Sequence, residues 1–158
     1  MLERMISSWF SNGYHGCNGF VHSLLENNIE DMQDYLQATM LDTVSYFDAA
    51  KNPEAFYHGL VLGMILELNG KYLIHSNRES GFGRYDIMLE PLSKNQPAYV
   101  LEFKVCHEQN KLQTVAASAI EQIKKKQYTK ELIAKGCRAD QIYCYGFAFY
   151  GKQVHICR

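Results

Sequence analysis

The chain has 158 residues, of which 47% are hydrophobic and 13% aromatic, so it is long and apolar enough for one domain with a substantial core. No apolar run reaches the length of a membrane span, and the opening residues MLERMISSWF do not resemble a signal peptide. The five cysteines form no C-x-x-C pair, which argues against a zinc ribbon and a disulfide framework. The sequence therefore predicts a cytoplasmic protein without a membrane partner.

The charges are unevenly distributed, although the formal net charge is only −1. Residues 1–56 hold 2 Lys and Arg against 8 Asp and Glu, whereas residues 57–158 hold 14 against 9. An acidic front and a basic back indicate two parts, of which only the second is a candidate for binding phosphate groups. A solvated surface with uneven charge explains the same counts equally well.

The front of the chain has helical spacing. Apolar side chains recur at steps of three and four over residues 21–44, and the stretch SNGYHGCNG before them is typical of a turn. Residues 1–50 are therefore predicted to form a helical N-terminal extension. The next segment predicts a buried helix, with Asn52 as its N-cap, Pro53 in its first position and Gly70 at its end.

The spacing of the apolar residues changes after this helix. It predicts three strands, one helix and two closing strands, over residues 71–77, 83–91, 98–105, 112–136, 141–151 and 152–158. The order α-β-β-β-α-β-β indicates an α/β domain over residues 51–158, whose helices pack on a central sheet.

One face of the predicted strand 98–105 carries an acid and a base, Glu102 and Lys104. If this strand forms a hairpin with the preceding strand that is symmetric about Lys94, Asp86 lies opposite Glu102 and Arg84 lies opposite Lys104. Directly opposed like charges destabilise a sheet. This register therefore predicts a divalent cation such as Mg²⁺ between the two carboxylates.

The register is an assumption, because a slip by one residue would turn Asp86 to the other face of the sheet. Its support is the alternation of the preceding strand, which places three apolar residues on the opposite face, namely Tyr85, Ile87 and Leu89. The alternative interpretation is a solvated sheet face on which Glu102 and Lys104 pair with each other.

The segments GRYDIMLEP and VLEFKV resemble the D-x(n)-E-x-K signature of the PD-(D/E)XK nuclease superfamily, with Asp86, Glu102 and Lys104 at its three positions. SYFD, NPEAFYHGLVLG, SNRESGFGRYDIML and AIEQIKKKQY are similar to the branch found C-terminal to an AAA-ATPase-like domain. This resemblance covers about residues 40–150. It implies a restriction-endonuclease-like α-β-β-β-α-β core with a mixed central sheet flanked by helices.

The chain departs from the family pattern in two places. Tyr85 stands where the superfamily name has proline, and no G-x-x-x-x-G-K-[ST] motif of an ATPase is found. The chain is therefore interpreted as a fragment of a longer protein or as a stand-alone version. Residues 1–50 would be a linker from a missing ATPase-like domain, a lid, or packing for the core.

The resemblance implies a catalytic role for each member of the signature. Asp86 and Glu102 would hold Mg²⁺, or Mn²⁺ as its substitute, together with the carbonyl of Phe103 and water molecules. Lys104 would orient the attacking water and stabilise the negative charge that develops on the phosphate.

A further acid on the first core helix is also implied by the resemblance. Glu54 is preferred over Glu67 because it lies in the matching segment NPEAFYH. The structural alternative for Glu54 is stabilisation of the helix N-terminus. His58, one turn later, could assist it, although a packed core histidine is the favoured interpretation.

Substrate contacts are implied on the helix after the signature and beside Asp86. Gln122 resembles a glutamine that many of these nucleases carry, whereas Tyr128 is discounted because its spacing from Gln122 is not Q-x-x-x-Y. Candidates for contact with phosphates are Arg78, Arg84, Lys124, Lys125, Lys126 and Lys130. A solvated helix surface explains the lysines equally well.

The sequence thus predicts a metal-dependent nuclease that hydrolyses phosphodiester bonds of nucleic acid, with DNA as the expected substrate. The alternative is a catalytically inactive module of the same fold that binds nucleic acid or a protein partner. An AAA-ATPase-like domain or protein is a further partner that the resemblance implies. The intact signature favours the enzyme, whereas the small net charge favours the binding module.

Overall fold

A computed structural model describes residues 18–45 and 51–158. The helices are α1 (Gly19–Leu25), α2 (Ile29–Thr43), α3 (Pro53–Ile65), α4 (Leu112–Lys126) and α5 (Lys130–Ala134). The strands are β1 (Tyr72–Ser76), β2 (Glu79–Ser80), β3 (Gly83–Arg84), β4 (Ile87–Pro91), β5 (Ala98–Val105), β6 (Ile142–Tyr150) and β7 (Gln153–Cys157). Within these two ranges, no helix has the length and apolar character needed to cross a membrane.

Two predictions fall on residues outside those ranges. The turn SNGYHGCNG and the segment SYFD lie mostly among residues 1–17 and 46–50. The predicted boundary between a helical extension and a nuclease-like domain falls at residue 50, and it stays a prediction.

The central sheet has five strands in the order β1-β4-β5-β6-β7. Strands β5 and β6 are parallel because α4 crosses over between them, and the other neighbours are antiparallel. Helices flank this mixed sheet, so the predicted α/β class with a restriction-endonuclease-like arrangement is confirmed. Strand β5 lies in the middle of the sheet, which brings its side chains under cover on both faces.

Each face of the sheet packs on its own set of helices. The first three helices and one face share a core that includes Phe20, Met32, Leu36, Val61, Leu101 and Phe147. The other face, with α4 and α5, forms a second core that includes Tyr85, Met88, Val100, Ile123, Tyr128 and Leu132. The alternative interpretation of a solvated face at Glu102 is wrong, because α4 covers that face.

Helix α3 begins as the sequence predicts but ends at Ile65, earlier than the predicted end at Gly70. The Asn52 side chain accepts a hydrogen bond from the Ala55 N–H at 3.3 Å, and Pro53 occupies the first helical position. A short 3-10 turn follows the helix, and Gly70 then adopts a positive φ of 93° that ends the segment. This helix places Glu54 in its first turn and His58 one turn later.

The single strand predicted over 83–91 is wrong, because it is interrupted at Tyr85 and Asp86. Its first part, β3, pairs with β2 in a separate two-stranded hairpin. Arg84 therefore lies opposite Glu79 and not opposite Lys104.

Backbone hydrogen bonds hold this interruption. The Asn77 N–H donates to the Asp86 carbonyl at 2.9 Å, and the Tyr85 N–H donates to the Arg78 carbonyl at 3.1 Å. These bonds break the alternation of side chains along the predicted strand. The prediction that Tyr85 lies on the same face of the sheet as Ile87 and Leu89 is therefore also wrong. Tyr85 packs with the second core, whereas the two aliphatic residues belong to the first.

The single helix predicted over 112–136 is wrong, since α4 and α5 are two helices. Gln127 follows α4 in the left-handed conformation, with φ 56° and ψ 41°, and its N–H donates to the carbonyls of Ile123 and Lys124. This residue reverses the chain direction and brings Tyr128 back beneath α4. The predicted end at Gly136 agrees with its positive φ of 96°.

Gly146 allows α4 to approach the sheet closely at the level of Glu102, its neighbour in the parallel pair. A Cβ atom on Gly146 would lie 2.3 Å from the Ala116 carbonyl oxygen and 3.0 Å from the Ala119 Cβ. We expect Gly146→Ala to lower the free energy of unfolding by about 1–3 kcal/mol, because α4 must move outward. Urea unfolding followed by circular dichroism measures this change.

The matched control is Gly59→Ala in α3, where an added Cβ would meet nothing within 4 Å. We expect this variant to be neutral or stabilised by up to about 1 kcal/mol, because alanine favours the helix. Equal destabilisation of the two variants would contradict the close approach at Gly146.

Candidate active site

Asp86 is oriented by the neighbouring strand. Strand β4 begins at Ile87, which pairs with Leu101. The Phe103 N–H, two residues further along β5, therefore has no backbone partner in β4, and it donates a hydrogen bond to Asp86 Oδ2 at 2.7 Å. The pairing of Ile87 with Leu101 and of Met88 with Val100 is the register that the sequence predicted. Extended by one residue, this confirmed register brings Asp86 beside Glu102.

Glu102 is a buried acid, with only 4% of its surface exposed. Its Oε1 accepts a hydrogen bond from the Gln122 amide of α4. Its Oε2 accepts a long hydrogen bond of 3.4 Å from the Asp86 N–H, and a side-chain hydrogen bond also joins the two carboxyl groups. One oxygen of this carboxylate is therefore fixed by α4, and the other points towards Asp86.

Lys104 does not pair with Glu102. Its Nζ donates to Gln122 Oε1, and no ion pair joins the two charged groups in the part of the chain that the structure describes. The side-chain amide of Gln122 thus holds both groups: its NH₂ donates to Glu102, and its carbonyl oxygen accepts from Lys104. The alternative of a simple Glu102–Lys104 pair on a solvated face does not describe this site.

Tyr128, which the spacing argument discounted, lies in the same hydrogen-bond network. Its hydroxyl accepts from Gln122 Nε2 at 3.3 Å and donates to the Arg84 carbonyl at 2.8 Å. The spacing from Gln122 is misleading because Gln127 breaks the helix between them. A glutamine in the left-handed conformation carries no sequence signal comparable to glycine, so this break was not predicted.

The candidates on α3 lie on the other side of Asp86. His58 Nδ1 lies 3.9 Å from Asp86 Oδ1, and His58 Nε2 lies 2.7 Å from Ser76 Oγ. Burial lowers the pKa of His58, and the Asp86 carboxylate opposes that effect. His58 is therefore hydrogen-bonded to Ser76, lies close to Asp86, and packs edge-on against Phe103 at 5.6 Å between ring centroids.

Glu54 is exposed and lines a crevice that also includes Lys104 and Phe103. Its negative charge contributes to raising the pKa of Asp86, so the two carboxyl groups repel each other at a distance. Glu67, the other acid considered on this helix, accepts a hydrogen bond from the Asn18 N–H at 2.8 Å. Glu67 thus has a structural task at the start of α1, and Glu54 is the acid that faces the site.

Both carboxyl groups resist ionisation. Burial raises the pKa of Asp86, although the Phe103 N–H, His58 and Lys104 partly offset it. Burial also raises the pKa of Glu102 to about 8, and repulsion from Asp86 adds to this shift. The free energy needed to ionise the pair falls when a cation binds between the two groups.

We expect the free energy of unfolding of the metal-free protein to fall as the pH rises from about 4.5 to about 8. Below the ordinary pKa of glutamate, about 4.5, Glu102 is protonated in both the folded and the unfolded chain. Between that value and about 8, folding must keep a proton that the unfolded chain has released, so the free energy of unfolding falls with rising pH. Thermal unfolding in EDTA between pH 5 and about pH 9 measures this slope.

The slope should become shallower in Glu102→Gln, because the amide does not titrate. Glu30→Gln, at an exposed position in α2, is the matched control and should keep the wild-type slope. A Glu102→Gln variant with the wild-type pH dependence would contradict the raised pKa.

The donor set fits a hard divalent cation. Asp86 Oδ1 and Glu102 Oε2 are the less engaged oxygens, and the Phe103 carbonyl points to the same side as its N–H, towards Asp86. Among residues 18–45 and 51–158, no group of three or more His, Cys, Asp or Glu side chains is arranged to hold a metal. Two carboxylates with water completing the shell suit Mg²⁺, which retains several waters.

The predicted phosphate contacts lie outside this cluster. Arg84 is exposed in the hairpin of β2 and β3, and Lys124 and Lys125 are exposed on α4. Lys124 lies 3.4 Å from Glu121 in a surface ion pair. The structure thus brings together Asp86, Glu102, Lys104 and Gln122, with Glu54 nearby, and leaves the three cations at the surface.

A mixed five-stranded sheet with one acid just before β4 and an acid and a lysine on the adjacent β5 is typical of restriction-endonuclease-like folds. A family model described as the PD-(D/E)XK nuclease superfamily matches residues 52–158, more than half of the chain. The chain belongs to this superfamily, as the signature predicted. No curated protein and no solved structure matches the chain. The association with an AAA-ATPase-like domain stays a prediction.

Proposed function

We propose that this protein is a metal-dependent nuclease that hydrolyses phosphodiester bonds of nucleic acid, with DNA as the expected substrate. The observation that carries the proposal is the pair of carboxyl groups of Asp86 and Glu102. Asp86 directly precedes β4 and lies beside Glu102 of β5, burial raises the pKa of both, and no lysine or arginine within the described ranges forms an ion pair with them. Membership of the superfamily supports a nuclease-type fold.

Asp86 and Glu102 would hold Mg²⁺ or Mn²⁺, with the Phe103 carbonyl as a further ligand. A bound divalent cation supplies a water of lowered pKa and neutralises charge on the scissile phosphate. The chain fixes both acids in advance, since the Phe103 N–H holds Asp86 and the Gln122 amide holds Glu102. Such orientation of ligands by their hydrogen-bond partners strengthens metal binding.

Lys104 would act on the reacting phosphate itself. Its ammonium group is held by Gln122 and remains free of a carboxylate partner among the residues described, so its charge is available to the substrate. It would orient the attacking water and stabilise the charge that develops during hydrolysis. Glu54 lines the same crevice, where it would bind a water or a second cation. Arg84, Lys124 and Lys125 would contact phosphates further along the strand.

The direct test is a cleavage assay with labelled single-stranded, duplex and branched DNA, and with RNA of the same sequence. We expect DNA cleavage in Mg²⁺ or Mn²⁺, none in EDTA, and none by Glu102→Gln. Equal background for the wild type and Glu102→Gln on every substrate would contradict the proposal. Metal-independent DNA binding without cleavage would support the alternative, a catalytically inactive binding module.

A further inference from the structure

Phe82 occupies the tip of the hairpin formed by β2 and β3. It is 67% exposed, more than any other large hydrophobic side chain in the part of the chain that the structure describes. A phenylalanine in this position gains little from burial, so packing does not explain it. The Lys130 ammonium lies 5.7 Å from the ring centroid, in cation–π contact.

The backbone that carries this ring is held firmly. The Phe82 N–H donates to the Lys126 carbonyl at 2.9 Å. Gly81 has a positive φ of 57°, and a Cβ atom there would lie 2.1 Å from the same carbonyl oxygen. The tip of the hairpin therefore rests directly on the end of α4, and the ring is presented to solvent from a fixed place.

The hairpin is connected to the candidate active site by hydrogen bonds. The Tyr128 hydroxyl donates to the Arg84 carbonyl at the base of the hairpin and accepts from Gln122, whose amide also binds Glu102. Phe82 is also only four residues before Asp86 in the chain, so their Cα atoms lie at most about 15 Å apart. A strand of nucleic acid held at the site through Lys104 would therefore pass close to the hairpin.

The surroundings of the ring favour a nucleotide as its ligand. A groove of about 370 Å³ is lined by Gly81, Phe82, Gly83 and Arg84, with the cationic Lys130 against the ring. An exposed aromatic face flanked by cations is the usual arrangement for binding single-stranded nucleic acid, because bases stack on the ring and phosphates meet the charges.

We propose that Phe82 stacks on an unpaired base of a bound nucleic-acid strand, with Arg84 and Lys130 on the adjoining phosphates. This inference rests on the proposed function for the class of ligand, and it adds a preference within that class. A base inside a duplex has both faces covered by its neighbours, so the ring selects single strands, flaps or forks.

The test measures binding of fluorescent single-stranded and blunt duplex DNA to the full chain in EDTA. We expect Phe82→Ala to weaken single-strand binding by about 5- to 100-fold, because base stacking on an aromatic side chain has that range of energies. Duplex binding should change by less than about twofold, and Phe82→Trp should bind as the wild type does. Leu92→Ala, at another exposed apolar position, is the control that leaves both affinities unchanged.

Several results would overturn the inference: wild type that binds no single strand, Phe82→Ala that binds it normally, equal weakening on both substrates, or failure of Phe82→Trp. Unfolding curves of each variant exclude a loss of fold as the cause. Single-strand binding that depends on Phe82, in a protein that never cuts, would contradict the proposed nuclease function and leave this inference intact. Cleavage of single strands and forks that is unaffected by Phe82→Ala would overturn this inference alone.

Discussion

Replacing Asp86 with asparagine will abolish measurable Mn²⁺ binding and reduce metal-dependent DNA cleavage by about a thousandfold or more, since a catalytic metal stabilises the transition state by several kcal/mol. The amide oxygen of asparagine can still accept the hydrogen bond from the Phe103 N–H, so the local fold is kept. What the variant loses is one of two negative charges that face each other. Titration calorimetry with Mn²⁺ and single-turnover cleavage measure the two effects.

Asp140→Asn is the matched control, because Asp140 is an exposed aspartate whose partner is Arg138, on the loop before β6. We expect wild-type Mn²⁺ affinity and cleavage from this variant. An Asp86→Asn variant that binds Mn²⁺ as the wild type does would contradict the metal site.

Replacing Lys104 with alanine will reduce cleavage by about 100- to 1,000-fold, the usual cost of removing one group that stabilises charge in a transition state. The Mn²⁺ affinity should change much less than in Asp86→Asn, because loss of the Lys104 charge relieves repulsion of the cation but raises the pKa of both Asp86 and Glu102, and these two effects oppose each other. A large loss of cleavage with little change in Mn²⁺ affinity therefore distinguishes a role of Lys104 in the reaction from a role in holding the metal. Cleavage rates at saturating Mn²⁺ and calorimetry provide the two values.

Lys111→Ala serves as the control for this prediction, since Lys111 is exposed and its partner is the surface residue Glu108. It should keep both activity and affinity. Cleavage by Lys104→Ala at the wild-type rate, or a loss of Mn²⁺ affinity as large as that of Asp86→Asn, would show that Lys104 has another task.

The sequence was sufficient to predict how β4 and β5 pair. Alternation of polar and apolar residues fixes which side of a strand faces the core, and the prolines that flank the intervening loop limit where the hairpin can turn. That register predicts Asp86 beside Glu102, and the pairing of Ile87 with Leu101 agrees with it. The start of α3 was equally predictable, because Asn52 and Pro53 act through local geometry.

The interruption at Tyr85 and Asp86 was not predictable in the same way. It depends on backbone hydrogen bonds to Asn77 and Arg78, which are distant enough in sequence that no local pattern indicates them. Its consequence is large, because Arg84 moves away from Lys104 into the hairpin with β2. Two cations that the sequence placed side by side are thereby separated.

The role of α4 also depends on tertiary structure. Helical spacing predicted the apolar stripe, but only the crossover between β5 and β6 places Gln122 between Glu102 and Lys104. Tyr128 joins the network because Gln127 turns the chain back, and a spacing rule for a continuous helix cannot anticipate that. The pairing of adjacent strands was therefore predictable from local patterns, whereas the contacts of α4 with the sheet were not.

The central claim is that Asp86 and Glu102 share one divalent cation. The most direct measurement is a crystal structure of the protein with Mn²⁺, with anomalous diffraction recorded to locate the metal. The account predicts one strong anomalous peak in bonding contact with a carboxylate oxygen of each residue. It would be contradicted by the absence of a peak between them, with Lys104 shifted to form an ion pair with Glu102.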